Sequence, residues 1–107
     1  MEYRQVGKTD LKASVIGLGM EELDFRPYAE LEAVVHAGMD HGINMMDMFM
    51  PGDELRQNVG KAIKGRRDKM MIQGHIGSTD INEKYDTSRD LKTCKQYFER
   101  MLKCLDT

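Results

Sequence analysis

Apolar and polar residues form alternating blocks along the chain, and these blocks predict strands and helices in turn. Three short apolar runs occur, one ending at Gly19, one at residues 43–49 and one at residues 70–72. They lack the strict alternation of a half-buried strand and are typical of parallel strands that are covered on both faces. Stretches with apolar residues at helical spacing follow each run. The pattern therefore predicts an α/β fold built from successive strand–helix units.

The first helical stretch lies between Pro27, predicted as its first residue, and Gly42, predicted as a left-handed residue that ends it. His36 lies off the apolar stripe and is interpreted as solvated surface, whereas His41 suits a helix C-terminus. Neither histidine has ligand-like partners in the sequence, so no metal site is predicted. The predicted apolar stripe comprises Leu31, Val34, Val35, Gly38 and Met39.

The second and third helical stretches also carry boundary signals. Asp53 is predicted as the N-cap of the second, and Thr87 or Ser88 as the cap of the third, with Asp90 in its first turn. The polar segment before the third helix, residues 77–86, is predicted to be a long loop. The apolar faces are Leu55, Val59, Ala62 and Ile63 in the second helix, and Leu91, Cys94, Phe98, Met101, Leu102 and Leu105 in the third.

The spacing of the units indicates how large the complete architecture is. Residues 2–16 predict a β-hairpin, and the following strands end at Gly19, Asp47 and His75, at equal intervals of 28 residues. Eight such units would need roughly 225 residues, close to the length of a TIM barrel. Residues 1–107 are therefore predicted to form one incomplete domain, a partial TIM-type (β/α)8 barrel with an N-terminal β-hairpin and about three β/α units. A small doubly wound sheet is the alternative.

Two polar residues mark the carboxyl ends of predicted strands. Asp47 lies near the end of the second strand and His75 follows the third. Ligand and catalytic sites of open α/β sheets and barrels lie at this edge, which makes both residues candidates for a site. Alternatively, Asp47 merely ends a strand and His75 merely opens a loop. Gly17 and Gly19 do not complete the GxGxxG fingerprint of dinucleotide-binding turns.

Composition excludes several classes of function. The 107 residues carry a formal net charge of −2, so no basic surface for nucleic acid is expected. No run approaches the roughly 20 apolar residues of a membrane span, and no secretory leader is recognisable. Cys94 and Cys104 would lie about 15 Å apart on one helix, too far for a disulfide. Free thiols predict a reducing, cytoplasmic location.

Four segments of the chain resemble the aldo-keto reductase family, in the family's order and spacing: EYRQVGKTDLKASVIGLG, HGINMMDMF, VGKAIKGRRDKMMIQ and ERMLKCLDT. The resemblance implies NADP as cofactor and a small carbonyl substrate. It also implies that Gly19, Met20 and Asp47 contact the cofactor. The variant segments FMPGDELRQNVGKAI and IQGHIGST resemble a subgroup of aldo-keto reductase-like, ferredoxin-type proteins. Longer members of that subgroup carry iron–sulfur segments, but Cys94 and Cys104 lack the spacing of cluster ligands.

The resemblance also implies catalytic roles, and this chain departs from the family in several of them. Members use an Asp, a Tyr, a Lys and a His, with the Tyr as general acid. Asp47 matches the Asp, but residues 50–52 are Met-Pro-Gly where the Tyr is expected, and His75 replaces the Lys. The fourth residue would lie beyond Thr107. His75 could then donate the proton while Asp47 holds its cation, and Tyr85 could act as a substitute acid.

Two functional hypotheses follow, and a third is disfavoured. The first is the N-terminal portion of an NADP-dependent aldo-keto reductase-type oxidoreductase that is not catalytically competent by itself. The second is a non-catalytic, truncated or assembly module that self-associates, because three parallel strands leave two open edges. The third is an anion-binding domain, which is disfavoured because Asp53 would repel an anion at the start of the second helix.

Overall fold

The N-terminal hairpin forms as predicted. The structure, a computed structural model, describes residues 1–107. Strand β1 (Tyr3–Gln5) pairs antiparallel with β2 (Lys12–Ser14). Asn44 fastens this hairpin to the rest of the chain, because its side chain accepts a hydrogen bond from the Ser14 N–H at 2.7 Å and donates one to the Lys12 carbonyl at 2.8 Å.

The central sheet is parallel and has the strand order β3 (Leu18–Gly19), β4 (Met45–Met48), β5 (Met71–Gly74). Gly19 pairs with Asp47, so the carboxyl ends of neighbouring strands lie at one edge of the sheet. Strands β3 and β5 are the two edge strands. The predicted α/β class and partial-barrel architecture are confirmed.

Three α-helices alternate with these strands: α1 (Tyr28–Asp40), α2 (Asp53–Ala62) and α3 (Leu91–Leu105). Their predicted starts are wrong in detail. Pro27 has extended backbone angles and is the N-cap of α1 rather than its first helical residue. Gly52, and not Asp53, is the N-cap of α2. The Asp53 carboxylate caps no backbone N–H and instead pairs with Arg100 at 2.9 Å.

Burial of the helices follows the predicted stripes with local exceptions. The stripe of α2 is buried throughout. In α1, Val34 is 43% exposed, because the covered face is narrower than the sequence pattern. In α3, Leu91 is 68% exposed and Phe98 is 46% exposed, so the covered face of this helix is also narrower than the predicted stripe. The core joins residues of the sheet and all three helices, and it includes Met20, Met39, Met46, Met48, Met70 and Met101. The many methionines therefore fill the interior.

The segment predicted to be a loop, residues 77–86, is largely a second hairpin. Strand β6 (Ser78–Ile81) pairs antiparallel with β7 (Lys84–Thr87). The tight turn places Asn82 at φ 51° and Glu83 at φ 63°, both in the left-handed region that primed hairpin turns require. The Tyr97 hydroxyl, from α3, donates to Asp80. The loop prediction was wrong because the segment is polar and its turn is Asn-Glu, without the Asn-Gly pair that usually indicates a hairpin.

Asp90, and not Thr87 or Ser88 as predicted, is the N-cap of α3. The Asp90 carboxylate accepts hydrogen bonds from the Thr93 backbone N–H and from the Thr93 hydroxyl, both at 2.8 Å. The backbone hydrogen bond is the larger cause that lowers the pKa of Asp90 below its usual value. The ionised carboxylate is therefore the form that stabilises the start of the helix.

Replacing Asp90 by alanine should lower the melting temperature at pH 7 by a few degrees. A carboxyl whose folded pKa is depressed contributes stability above its unfolded pKa of about 4, and this contribution is lost as the pH falls through the lower folded pKa. The difference between the native chain and Asp90→Ala should therefore shrink below about pH 4. Asp90→Asn is the matched control, because it caps without titrating. Thermal melts from pH 2 to 7 measure this, and an effect independent of pH would contradict it.

None of the three helices combines the length and the apolar composition needed to cross a membrane. Both cysteines lie half-buried on α3 as free thiols.

Candidate functional site at the strand ends

The carboxyl ends of β4 and β5 bring the two candidate residues into contact. Asp47 Oδ1 lies 2.6 Å from His75 Nε2. The side chains are partly open to solvent, 33% for His75 and 47% for Asp47. The carboxylate thus holds Nε2 of the imidazole, while Nδ1 makes no hydrogen bond within the chain. A protonated imidazole in this arrangement has one N–H fixed by Asp47 and one free to donate.

Phe49 joins these residues to Tyr85. Its ring meets the His75 ring edge to face, with centroids 5.0 Å apart, and lies 4.9 Å from the Tyr85 ring. Tyr85 is carried by β7 and is held by the hairpin, so it is not on the long loop that the sequence predicted. It makes no hydrogen bond to Asp47 or His75. Sequence reasoning missed Phe49, whose only signal was its position directly after β4.

The residues predicted to contact a cofactor line the neighbouring strand end. The Met20 N–H donates to the Asp47 carbonyl at 3.2 Å, which continues the pairing of β3 with β4. The Met20 side chain is buried in the core, so only its backbone faces the strand ends. At Gly19 a Cβ atom would meet nothing within 4 Å. The space next to the Gly19 backbone is therefore open.

The residues in the place of the expected tyrosine carry no proton donor. Pro51 is fully buried, and Met50 packs against the core. Gly52 starts α2. This segment supports the helix and supplies no acid to the site.

An acidic cleft of about 220 Å³ adjoins the site. It is lined by one cation, Arg100, and by the carboxylates of Asp24, Asp53, Glu54, Asp80 and Glu83. Burial is the largest effect on the Asp24 carboxyl and raises its pKa, and the nearby Glu54 raises it further. Arg100 pairs with Asp53 at 2.9 Å and lies 4.0 Å from Asp80. The cleft is therefore negatively charged and disfavours phosphate groups.

The two other histidines have structural contacts. His36, predicted to be solvated surface, is instead half-buried, and its Nε2 lies 2.8 Å from the Ala62 carbonyl oxygen, which links α1 to the end of α2. The prediction failed because the helical pattern could not show that α2 covers this side. His41 Nδ1 lies 2.8 Å from the Ala37 carbonyl oxygen at the end of α1. No group of three possible ligands is arranged for a metal ion.

The fold and the site define the class of protein: an incomplete (β/α)8 barrel with polar side chains at the carboxyl ends of its strands. No family model and no curated protein matches the sequence. Solved structures do match. The aldo-keto reductase AKR11C1 from Bacillus halodurans has a TM-score of 0.86 and 26% identity, and the match covers 100% of this chain and 37% of that one.

Two further structures show the same relationship. The putative aldo-keto reductase PA4992 from Pseudomonas aeruginosa has a TM-score of 0.85 and 24% identity, covering 98% of this chain and 42% of that one. The glycerol dehydrogenase AKR11B4 from Gluconobacter oxydans has a TM-score of 0.83 and 19% identity, covering 98% of this chain and 36% of that one. The chain thus has the fold of the N-terminal part of aldo-keto reductases and spans well under half of their length.

Proposed function

We propose that the chain is the N-terminal portion of an NADP-dependent aldo-keto reductase-type oxidoreductase that acts on a small carbonyl substrate. In this proposal residues 1–107 form one incomplete barrel segment, located in the cytoplasm, that is not catalytically competent alone. The observation that supports it most is the 2.6 Å contact between Asp47 and His75 at the carboxyl ends of adjacent parallel strands. This is the edge at which barrel enzymes carry out their chemistry.

The contribution of this chain to carbonyl reduction is the proton. Bound NADPH supplies the hydride that such a reaction requires. Asp47 holds Nε2 of His75, so a proton on Nδ1 is the one that can be donated to a carbonyl oxygen. The Phe49 ring limits rotation of the imidazole by its edge-to-face contact. Tyr85, on the far side of Phe49, is the alternative acid.

The site fits only one end of the cofactor. The open surface at Gly19 and the adjacent Asp47 suit the flat nicotinamide ring, and the buried Met20 keeps the backbone there rigid. The phosphates need cations or helix N-termini, yet the adjoining cleft has five carboxylates and one arginine. The chain alone should therefore bind NADPH weakly, and the remaining affinity should come from parts of the barrel that it does not supply.

Titration of the chain with NADPH, followed by nucleotide fluorescence, tests this proposal. We expect saturable binding in the millimolar range and no reduction of simple aldehydes. Gly19→Val should weaken binding about tenfold or more, because a branched side chain occupies the space that the ring needs. Gly7→Asn is the matched control: Gly7 lies in the distant first hairpin with nothing within 4 Å, and asparagine tolerates its φ of +57°.

Both parts of the proposal can fail separately. Absence of saturable binding at millimolar NADPH would remove the cofactor from the proposal. Turnover of an aldehyde by the chain alone, abolished by His75→Gln, would show that it is competent after all.

Self-association is the second candidate, and the open edges of the sheet favour it. Strand β3 and strand β5 each pair on one side only. Apolar side chains are exposed near both, with Ile16 58% and Ile76 80% exposed. Unpaired edges of this kind add strands from other chains. Sedimentation should then show a mass that rises with protein concentration, and a constant monomer mass would exclude this candidate.

A further inference from the structure

An open cavity of about 310 Å³ lies beside His75, between the end of β5, the β6–β7 hairpin and the segment that leads into α3. Tyr85 lines both this cavity and the acidic cleft, so the two meet at that residue. Arg89 is the only permanently charged residue of the lining, which makes the cavity positive where the cleft is negative. The polar part of the lining consists of His75, Ser78, Tyr85, Thr87, Ser88 and Arg89.

Backbone hydrogen bonds fix the segments that surround this cavity. The Ser78 N–H donates to the His75 carbonyl at 3.3 Å, which closes a turn directly after β5. The Ser88 N–H donates to the Gly77 carbonyl at 2.9 Å, next to the pairing of β6 with β7. The chain therefore returns from the hairpin to the end of β5 and brings Arg89 to the same cavity as His75.

The Ser78 hydroxyl is a polar group in the cavity that lacks a partner. Ser78 is only 4% exposed, and its hydroxyl makes no hydrogen bond within the chain. Buried hydroxyls are almost always hydrogen-bonded, because burial without a partner costs free energy. Since Ser78 lines the cavity, an acceptor atom of a bound molecule is the partner within its reach.

Arg89 supplies a cation that no group of the chain neutralises. None of the ion pairs of the chain involves it. The acids on either side of it hold backbone N–H groups instead: Asp86 accepts from Thr87 and Asp90 accepts from Thr93, both at 2.8 Å. A guanidinium presents its N–H donors as a fork that fits the two oxygens of a carboxylate. One arginine flanked by two acids suits a singly charged carboxylate better than a phosphate dianion.

We propose that this cavity binds a carboxylate of the substrate, and that the substrate is an oxo acid, a small carbonyl compound that also carries a carboxylate. Arg89 takes the two carboxylate oxygens, and the Ser78 hydroxyl donates to one of them. His75, whose Nδ1 makes no hydrogen bond within the chain, serves the carbonyl end. This inference rests on the proposed function, because it takes His75 as the group that protonates the carbonyl oxygen.

The acidic cleft is the competing subsite, and it would select an amine instead of a carboxylate. Its lining does not include His75, however, whereas the cavity with Arg89 does. Its carboxylates are also partly neutralised, since Arg100 pairs with Asp53 at 2.9 Å. A charged group of a substrate that reaches His75 is therefore placed against Arg89.

NMR titration of the isotope-labelled chain tests the proposal with matched small molecules. Levulinate carries a carbonyl and a carboxylate, methyl levulinate has its acid masked as an ester, and valerate lacks the carbonyl. Levulinate and valerate should shift the amide signals of Ser78 and Arg89 with dissociation constants on the order of 10 mM. The ester should bind at least about tenfold more weakly, because it cannot pair with a guanidinium.

The His75 ring signals report the position of the carbonyl group. They should shift further with levulinate than with valerate, since only levulinate carries a carbonyl oxygen that can accept from the imidazole. α-Ketobutyrate and butyrate repeat this comparison with a shorter distance between the carbonyl and the carboxylate. At least one of the two oxo acids should move the His75 ring signals beyond its control.

Substitutions then identify the residues that hold the carboxylate. Arg89→Gln should weaken levulinate binding about tenfold or more, because the charged fork is lost. Arg26→Gln is the matched control, since it removes the same charge from an exposed arginine that lines neither this cavity nor the acidic cleft. Arg89→Lys keeps the charge without the fork and should give an intermediate affinity. Ser78→Ala should weaken binding about threefold.

Several results would overturn the proposal: methyl levulinate binds as tightly as levulinate, Arg26→Gln weakens binding as much as Arg89→Gln, or neither oxo acid binds saturably. Ring signals of His75 that respond alike to each oxo acid and its control would show that the cavity does not place a carbonyl. None of these measurements involves a nucleotide. Failure of the NADPH titration would therefore leave this result intact, and failure here would leave the cofactor proposal intact.

Discussion

Gly60→Ala is expected to destabilise the chain by about 3 kcal/mol, and the folded form should be hard to detect. A Cβ atom at this position would lie 2.7 Å from the Cys104 carbonyl oxygen and 2.9 Å from Leu105 Cα. Both are backbone atoms of α3, so the clash cannot be relieved by rotating a side chain. Helix α2 and helix α3 would have to separate, which would expose Val59 and Leu105. Urea denaturation measures the loss.

Two control substitutions separate this clash from general effects. Gly19→Ala makes the same change of residue where a Cβ meets nothing within 4 Å. Gln57→Ala tests an exposed position on the same helix. Both should leave the denaturation midpoint nearly unchanged. Equal stability of Gly60→Ala and the native chain would mean that the helices pack less closely than the structure shows.

Arg56→Met is expected to raise the stability of the isolated chain by about 1–2 kcal/mol. Methionine keeps most of the volume of the side chain, and it removes a buried charge that makes one long hydrogen bond and no salt bridge. Replacing a buried ionic group with a well-packed apolar one is often neutral or stabilising. The midpoint of urea unfolding at neutral pH measures the change.

Two further substitutions separate the loss of the charge from the loss of side-chain volume. Arg56→Ala should lower stability, since it leaves a cavity. Arg66→Met, at a more exposed ion pair, should change little. A clear loss of stability in Arg56→Met of the isolated chain would show that the guanidinium is already well paired there.

The candidate site was predictable from the sequence to the extent that it depends on strand ends. The regular spacing of Gly19, Asp47 and His75 predicts that neighbouring strands end at the same edge, and the structure places Asp47 and His75 in contact there. Phe49 was not predicted, because its stacking depends on the β6–β7 hairpin that carries Tyr85. Because residues 77–86 were predicted to be a loop, the contact between the Phe49 and Tyr85 rings was not expected.

Local sequence determined the order of strands and helices, the first hairpin, the buried face of α2 and the free state of the two thiols. These depend on periodicity and on turn residues within a few positions of each other. The tertiary structure alone decided that Gly60 touches α3 and that Arg56 lies buried beside Tyr97, 41 residues away. Such contacts depend on how distant segments pack, and a polar residue gives no local signal that a later helix will cover it.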